Sequence, residues 1–466
     1  MYSNLKFDKI KYIPMPPPNI TGKLHMGHAL FLSIQDSQIR FWKNQGIDSL
    51  WIPGFDHAGL ATHDKIIEYS KDNKISYDKA ASKLPNLNYS IIKKQIQALG
   101  ALPDWSFESY TLNYNEFIYD ILSLLSKQNR IKNINGDIYL DLKDYADILK
   151  NDILNNQFNI IPSKKINDLL PFLEDYHEWN ISREIPWGTK LPFNEKGEFI
   201  KEICSKRSLD TWFNSSLWPI AILKDKKNLL EKIYPADLIE TGSDILFFWC
   251  ARMLIMGSWI YDNQKELNLK LNKRYPFYNI YLHGIIRDKD GKKFSKSLGN
   301  GIDPLDMIKK YGTDATRMFL LTRSGPAEDI IFDEEKLNDY KKFINKIYQS
   351  SRFLSMNAEK INLEKIEIDS IKFSSINKKD IEQLILIQKE FIDFYSNYKY
   401  LEASRYIHSQ YKRFFCDYII EKYKKEIWNG NKNIIKDLIL ILHQMLSMIE
   451  PICPFITNYL YEEFFI

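Results

Sequence analysis

The hydrophobic periodicity of this chain changes character once, near Asp333, and that change limits the folds open to it more than any other feature. From Lys11 to about Asn113, short apolar runs alternate with longer helix-like stretches between Pro and Gly punctuation, the pattern of βα units on a parallel sheet. The same texture returns between Tyr234 and Met318, with a strand-like run from Asn279 to Ile286 and a helical one from Ser243 to Met256. Beyond Asp333 only helical periodicity remains. Leu337, Tyr340, Ile344 and Ile347 lie three or four apart behind an acidic first turn, Ile381, Leu384, Ile385, Ile392 and Tyr395 form a second stripe, and Ile434 to Ile449 is closed by Pro451 and Pro454. These patterns predict an α/β region built on a parallel sheet and then an all-α region. The divisions fall at 1–130 for the first half of the sheet, 131–200 for a connection, 201–330 for the second half and 331–466 for the helices.

Length and charge narrow the function. A chain of 466 residues holds two or three cores, enough for an enzyme. With 64 basic and 60 acidic side chains the net charge is +4, so this is no unspecific nucleic-acid coat, and any RNA contact must use local basic patches. Cys204, Cys250, Cys416 and Cys453 are far apart and form no CxxC pair, which predicts neither a structural zinc nor a disulfide framework and fits a reducing cytoplasm. The first fourteen residues lack the features of a signal peptide. The apolar run Leu438 to Leu442 is flanked by Lys436, Asp437, His443 and Gln444 and falls short of a span, so no membrane is expected as a partner. No heptad seam argues against a monomer.

Three segments carry chemistry. In Pro16-Pro17-Pro18-Asn19-Ile20-Thr21-Gly22-Lys23-Leu24-His25-Met26-Gly27-His28, a strand gives way to a Pro/Gly turn and a helix start, where free N–H groups attract phosphate. His25 and His28, three apart, can face one ligand, and Gly27 lets a base or phosphate approach the backbone. Lys292-Lys293-Phe294-Ser295-Lys296-Ser297 follows a strand-like run and an Asp-Lys-Asp-Gly turn, placing lysines on a loop able to close over a polyphosphate; alone, it reads more readily as a solvated basic loop. In Glu240-Thr241-Gly242-Ser243-Asp244-Ile245-Leu246-Phe247-Phe248-Trp249, Ile245 and Trp249 share one helix face, as core residues or as pocket walls.

Taken together and in this order, the segments resemble class I aminoacyl-tRNA synthetases over roughly four fifths of the chain, and the PPPNITG lead-in is similar to the valine-specific branch. The resemblance implies a Rossmann-like nucleotide-binding parallel sheet split by a short connective insertion, followed by an all-α anticodon-binding helical bundle. It implies that His25, His28, Lys293 and Lys296 are catalytic, and that Gly27, Gly242, Asp244, His283, Gly284 and Ser295 bind ATP. It further implies that Pro17, Asn19, Asp56, Trp212, Ile245 and Trp249 bind the amino acid, Asp56 taking the ammonium with Pro17 and Asn19 in the matching lead-in, and Trp212, Ile245 and Trp249 walling a small branched side chain. Phe294 stands where the family usually has Met, Phe55 where it has Thr and His63 where it has Gln.

The implied substrates are valine, ATP and tRNA(Val), with Mg2+ accompanying ATP and no dedicated protein metal site. The family's editing domain normally precedes the segment resembled by Glu178 to Gly188, and here only residues 137–166 fill that place, about thirty residues and too few for a domain. Two other readings stay open. An isoleucine-specific sister shares both nucleotide signatures but differs in the PPPNITG and FDHAGLAT strings; a non-catalytic paralogue would not need His25, His28, Lys293 and Lys296 intact.

Overall fold

The computed structural model describes residues 10–194, 196–200, 206–294, 301–366 and 372–465. The chain forms two compact units, each assembled from separate stretches. The first combines Met1–Leu24, Ile47–Gln95 and Pro103–His283, and the second His25–Gly46, Ile96–Leu102 and Gly284–Ile466.

The first unit is α/β. The strand Lys11–Pro14 runs parallel to Ser49–Ile52, and Gly54–Phe55 runs parallel to Ser109–Tyr110. A parallel three-stranded piece has Asn279–His283 in the middle, with Ile239–Gly242 on one side and Asn159–Ile161 on the other. The Asp237 N–H donates to the Tyr12 carbonyl at 2.9 Å while the Asp237 carboxylate accepts from the Tyr12 N–H at 2.8 Å, which sets Lys11–Pro14 beside the start of Ile239–Gly242. The strand Asn159–Ile161 comes from the region taken in the sequence as mere connection. The rest of that region is a hairpin of Ile131–Ile134 and Asp137–Leu140, extended by Trp179–Asn180, with the helix Lys143–Leu154.

Lys11–Pro14, Ser49–Ile52 and Asn279–His283 are almost wholly buried, as expected of strands in a parallel sheet covered on both faces. One core extends from Ile10 to Leu282 and includes the indoles of Trp179, Trp218, Trp249 and Trp259. Close approach is obligatory at Gly54, where a Cβ would lie 2.0 Å from the Trp218 ring. Trp218 Nε1–H in turn donates to the Met15 carbonyl at 2.9 Å. Among the described residues, one stretch is long and apolar enough to cross a membrane, Ser243–Asp262, and 67% of its window is buried, as in a core helix. Leu438 to Leu442, singled out in the sequence, is also fully interior.

The second unit is mainly helical. Its first element is Met26–Asn44, and its other long helices are Glu334–Lys360, Lys378–Ser396 and Lys432–Ile449. Asp333 caps the helix Glu334–Lys360 by accepting from the Glu335 N–H at 3.1 Å, so the acidic first turn does begin a helix there. Two stripes differ from the sequence expectation. The buried seam of Glu334–Lys360 is Leu337, Phe343, Ile347 and Leu354, and Ile344 is only half-buried. That of Lys378–Ser396 is Leu384, Ile387, Phe391 and Tyr395, with Ile385 42% exposed. Phe343 and Phe391 hold inward positions, whereas their neighbours Ile344 and Ile392 are half-buried.

Candidate active site

Asp56 lies in the turn after Gly54–Phe55, held by the lead-in strand: its N–H donates to the Pro18 carbonyl at 3.1 Å, and its carbonyl accepts from the Ile20 N–H at 3.1 Å. Asn19 and Asp56 form a parallel bridge, and Pro17 lies one residue before Pro18, so three residues expected at the amino-acid site are brought together. The Asp56 side chain does serve as a turn cap, since Oδ1 accepts from the Ala58 N–H at 2.9 Å. It does more. The same oxygen accepts from Thr211 Oγ1 at 2.7 Å and Thr111 Oγ1 at 3.2 Å. Asp56 is 5% exposed, and Ala58 beside it sits in the left-handed region at φ 56°, a conformation costly for alanine and typical of functional turns.

Thr211 opens the short helix Thr211–Ser216, and the next residue is Trp212. Asp210 caps that helix and also accepts from Trp179 Nε1–H at 2.9 Å and from Arg183 at 2.8 Å. The Trp249 indole, 2% exposed, donates to the Ser215 carbonyl at 3.0 Å. Trp212 and Trp249 are therefore tied to one small helix whose first residue holds Asp56. Ile245 and Trp249 do not lie on a regular helix as expected. Ser243–Ile245 is a 3-10 turn and Leu246–Cys250 a π turn before the α-helix Ala251–Asp262, an irregularity that recurs at functional sites. Its effect is to bury Trp249 while leaving Phe248 51% exposed, tilted by 31° against Trp212 with ring centres 6.4 Å apart.

Gly242 and His283 are register partners at the ends of adjacent parallel strands. A Cβ on Gly242 would lie 2.5 Å from Asp244 Oδ1 and 3.5 Å from His283 Nε2, so the glycine keeps open the space these side chains face. His283 Nδ1 is hydrogen-bonded to the buried Glu240 carboxylate, a residue the sequence reading passed over although it lies two positions before Gly242. Because a carboxylate only accepts, Nδ1 carries a proton, and Nε2 faces the space beside Gly242 and Asp244.

In the second unit His25 and His28 meet at the start of Met26–Asn44. His25 Nδ1 accepts from the Gly27 N–H at 3.0 Å and His28 Nδ1 accepts from the His25 N–H at 3.2 Å, a capping box made of two imidazoles with ring centres 4.0 Å apart. With both Nδ1 atoms accepting, each neutral ring has its proton on Nε2. Two N–H donors thus accompany a helix N-terminus, a combination suited to phosphate oxygens. The cost of a side chain at Gly27 is also visible, since a Cβ there would lie 2.8 Å from the His25 ring. Gly284 is equally constrained, with the carbonyl of Glu328 1.8 Å from where its Cβ would be. Lys293 is exposed and forms a bridge with Arg287, and Phe294, in the family's Met position, is buried against Phe332 at 5.8 Å. Ser295 and Lys296 lie outside the described residues. Among the described residues no group of acidic, His and Cys side chains could hold a metal ion.

The family model described as tRNA synthetases class I (I, L, M and V) matches residues 3–141 and 195–333, more than half of the chain, and that described as the anticodon-binding domain of tRNA ligase matches 381–465. The valine–tRNA ligase of Pseudothermotoga lettingae is 25% identical over 97% of this chain and 76% of its own length, and that of Clostridium tetani 26% identical over 100% and 76%. The Latilactobacillus sakei enzyme of the same name is 31% identical over 70% of this chain and 38% of its own. In fold, the chain is similar to the Agrobacterium radiobacter LeuRS–tRNA–LeuAMS complex, with a TM-score of 0.81 at 15% identity over 99% of this chain and 86% of that one. It is also similar to Mycobacterium tuberculosis methionyl-tRNA synthetase bound by methionyl-adenylate, with a TM-score of 0.74 at 16% identity over 97% and 94%. The split match to the catalytic family on either side of residues 142–194, followed by the helical match, identifies the chain as a member of the class I tRNA synthetases, the ligases that attach amino acids to tRNA.

Proposed function

We propose that this enzyme joins valine to tRNA(Val) through a valyl-adenylate made from ATP, and does so without hydrolytic editing. The observation that carries the reading is the cluster of hydrogen bonds around Asp56 in the first unit. One small helix supplies Thr211 to Asp56, the acceptor for an ammonium, and carries Trp212 and the carbonyl that fixes Trp249, which with Ile245 supply rigid apolar walls. A small branched side chain with a charged amine fits that chemistry. The relatives named as valine–tRNA ligases support the choice of valine.

In the first step the valine carboxylate attacks the α-phosphorus of ATP in line and pyrophosphate leaves. In the second a terminal ribose hydroxyl of the tRNA attacks the aminoacyl carbonyl and AMP leaves. Both steps depend on positioning and charge stabilisation. His25 and His28 donate to the α- and β-phosphates from Nε2, beside the N-terminus of Met26–Asn44. Lys293 and Lys296 neutralise the departing pyrophosphate. Gly242 and Asp244 receive the ribose, and His283 with Gly284 the adenine. Mg2+ enters on the ATP phosphates as part of the substrate.

Absence of editing rests on chain length between the catalytic halves. The alignment with the Clostridium tetani enzyme runs over 690 residues although this chain has 466, so well over two hundred positions of that relative have no counterpart. The stretch between the two catalytic matches holds short elements that complete the sheet and its core. An apolar pocket that fits valine rejects its hydroxyl isostere threonine only weakly, and valine-specific members of this family are the standard illustration, at roughly a hundredfold. Charging of tRNA(Val) with threonine alone should therefore give stable Thr-tRNA(Val). No detectable product beside an editing-deficient control would refute this part of the proposal, and no charging with valine would refute the whole.

A further inference from the structure

The hydrogen bonds around Asp56 are arranged unequally. Oδ1 takes three donors, the Ala58 N–H and the hydroxyls of Thr111 and Thr211, whereas Oδ2 has no hydrogen-bond partner among the described residues. Beside them stands His57, fully buried, with its backbone N–H 3.0 Å and its Nδ1 2.7 Å from Thr111 Oγ1, and Nδ1 itself 3.4 Å from Asp56 Oδ1. Thr111 has one hydroxyl hydrogen, and donating it to Asp56 leaves its oxygen to accept. Nδ1 of His57 must then carry a proton, and the neutral ring, favoured by burial, keeps its bare lone pair at Nε2. That atom is buried without a partner, an arrangement with a real desolvation cost. The ring is held from the other side by the loop at 187–188. Trp187 Nε1–H donates to the His57 carbonyl at 2.8 Å, and Gly188, at φ 121°, lies so close that a Cβ there would be 3.1 Å from Nε2.

We propose that His57 and Thr111 are positioning residues for amino-acid binding: their relay commits Oδ1 of Asp56 to the protein, so that Oδ2 alone, in a fixed direction, receives the substrate's ammonium. The relay rests on the reading of this site as the amino-acid site. It explains why a histidine with one unsatisfied nitrogen is kept beside Asp56: a donor at the Nδ1 position is required, and nothing is required of Nε2. It also gives Trp187 and Gly188, in a loop far away in sequence, a defined task.

The test measures amino-acid-dependent ATP–pyrophosphate exchange, with melting by circular dichroism as a control of folding. Thr111→Val and His57→Leu should raise the KM for valine about 10- to 100-fold, the range for losing a hydrogen bond to a charged group. The KM for ATP should stay within about twofold. Thr111→Ser, which restores the hydroxyl, and His57→Asn, whose amide nitrogen takes the place of Nδ1, should recover most of the loss. Equal rises in both KM values, a fall in kcat alone, or failure of both conservative variants to rescue would overturn the relay. Absence of exchange in the wild type with any amino acid would instead sink the proposed function. The relay would then be judged by calorimetric binding of valine against 3-methylbutanoate, its des-amino analogue. A preference for valine that Thr111→Val abolishes would support it, and no preference in the wild type would overturn it.

Discussion

Arg317 is the one arginine among the largest fully buried side chains, and replacing it should destabilise the second unit more than any surface change. Its guanidinium donates to the carbonyls of Ile452 at 2.9 Å, Pro451 at 2.9 Å and Leu99 at 3.2 Å, and it lies 2.7 Å from Asp36 Oδ2. Asp36 belongs to the helix Met26–Asn44, whose first turn carries His25 and His28. Arg317→Leu keeps the apolar stem, removes the charge and strands three carbonyls. Asp36 is not orphaned, because Arg40 still donates to it at 2.7 Å and the Leu102 N–H at 3.0 Å. Breaking a buried ion pair by removing one partner costs about 3–5 kcal/mol, and the remaining partners of Asp36 place this case toward the lower end, about 3 kcal/mol. At roughly 2–4 °C per kcal/mol for a body of this size, the unfolding midpoint should fall by about 6–12 °C. Thermal unfolding followed at 222 nm reads the shift directly. Asp36→Asn, which keeps the shape and the acceptor for Leu102, should lose less than Arg317→Leu. A shift below about 2 °C for Arg317→Leu would show that water or rearranged carbonyls replace the guanidinium, and would refute the claim that this network fixes the histidine-bearing helix.

Three further outcomes are expected. Glu240→Gln weakens the partner of His283 Nδ1 and should raise the KM for ATP about tenfold with the KM for valine unchanged, in exchange assays at saturating co-substrate. Trp249→Leu enlarges the apolar pocket and removes the bond to the Ser215 carbonyl; the ratio of kcat/KM for valine over isoleucine should fall about tenfold or more, measured with each amino acid separately. Burial among Phe343, Tyr340 and the neighbouring Lys412 lowers the pKa of His408 to about 4, so between pH 6.5 and 4 the unfolded chain binds a proton that the folded one refuses. Stability from this group is present above pH 6.5 and lost as pH falls toward 4, and His408→Leu should flatten the decline of the melting temperature across that window.

The sequence carried the architecture where periodicity is simple and lost it where packing decides. The α/β texture up to Met318 and the helical texture beyond Asp333 both correspond to what folds, but the seams run through Phe343 rather than Ile344 and Phe391 rather than Ile392, a choice between adjacent apolar residues that tertiary packing makes and periodicity leaves open. The strand Asn159–Ile161 was invisible as such, being three residues of a stretch that looked like connection. The segments that hold Asp56, Trp249 and Gly242 stood out because they are long and distinctive. Their supports were not. Thr111 reaches Asp56 from a distant turn, and no local pattern distinguishes it from any other threonine. His57 and Thr211 could have been suspected from their places beside Asp56 and Trp212. The imidazole capping box at His25 and His28 escaped because helix caps are sought among Ser, Thr, Asp and Asn.

The central claim is that the pocket held by Asp56, Trp212, Ile245 and Trp249 activates valine. Amino-acid-dependent exchange of pyrophosphate into ATP, run with valine, isoleucine and threonine at equal concentrations, tests it most directly. The account predicts the fastest exchange with valine, a measurable rate with threonine and a weaker one with isoleucine; exchange strongest with isoleucine, or none with any of the three, would contradict it.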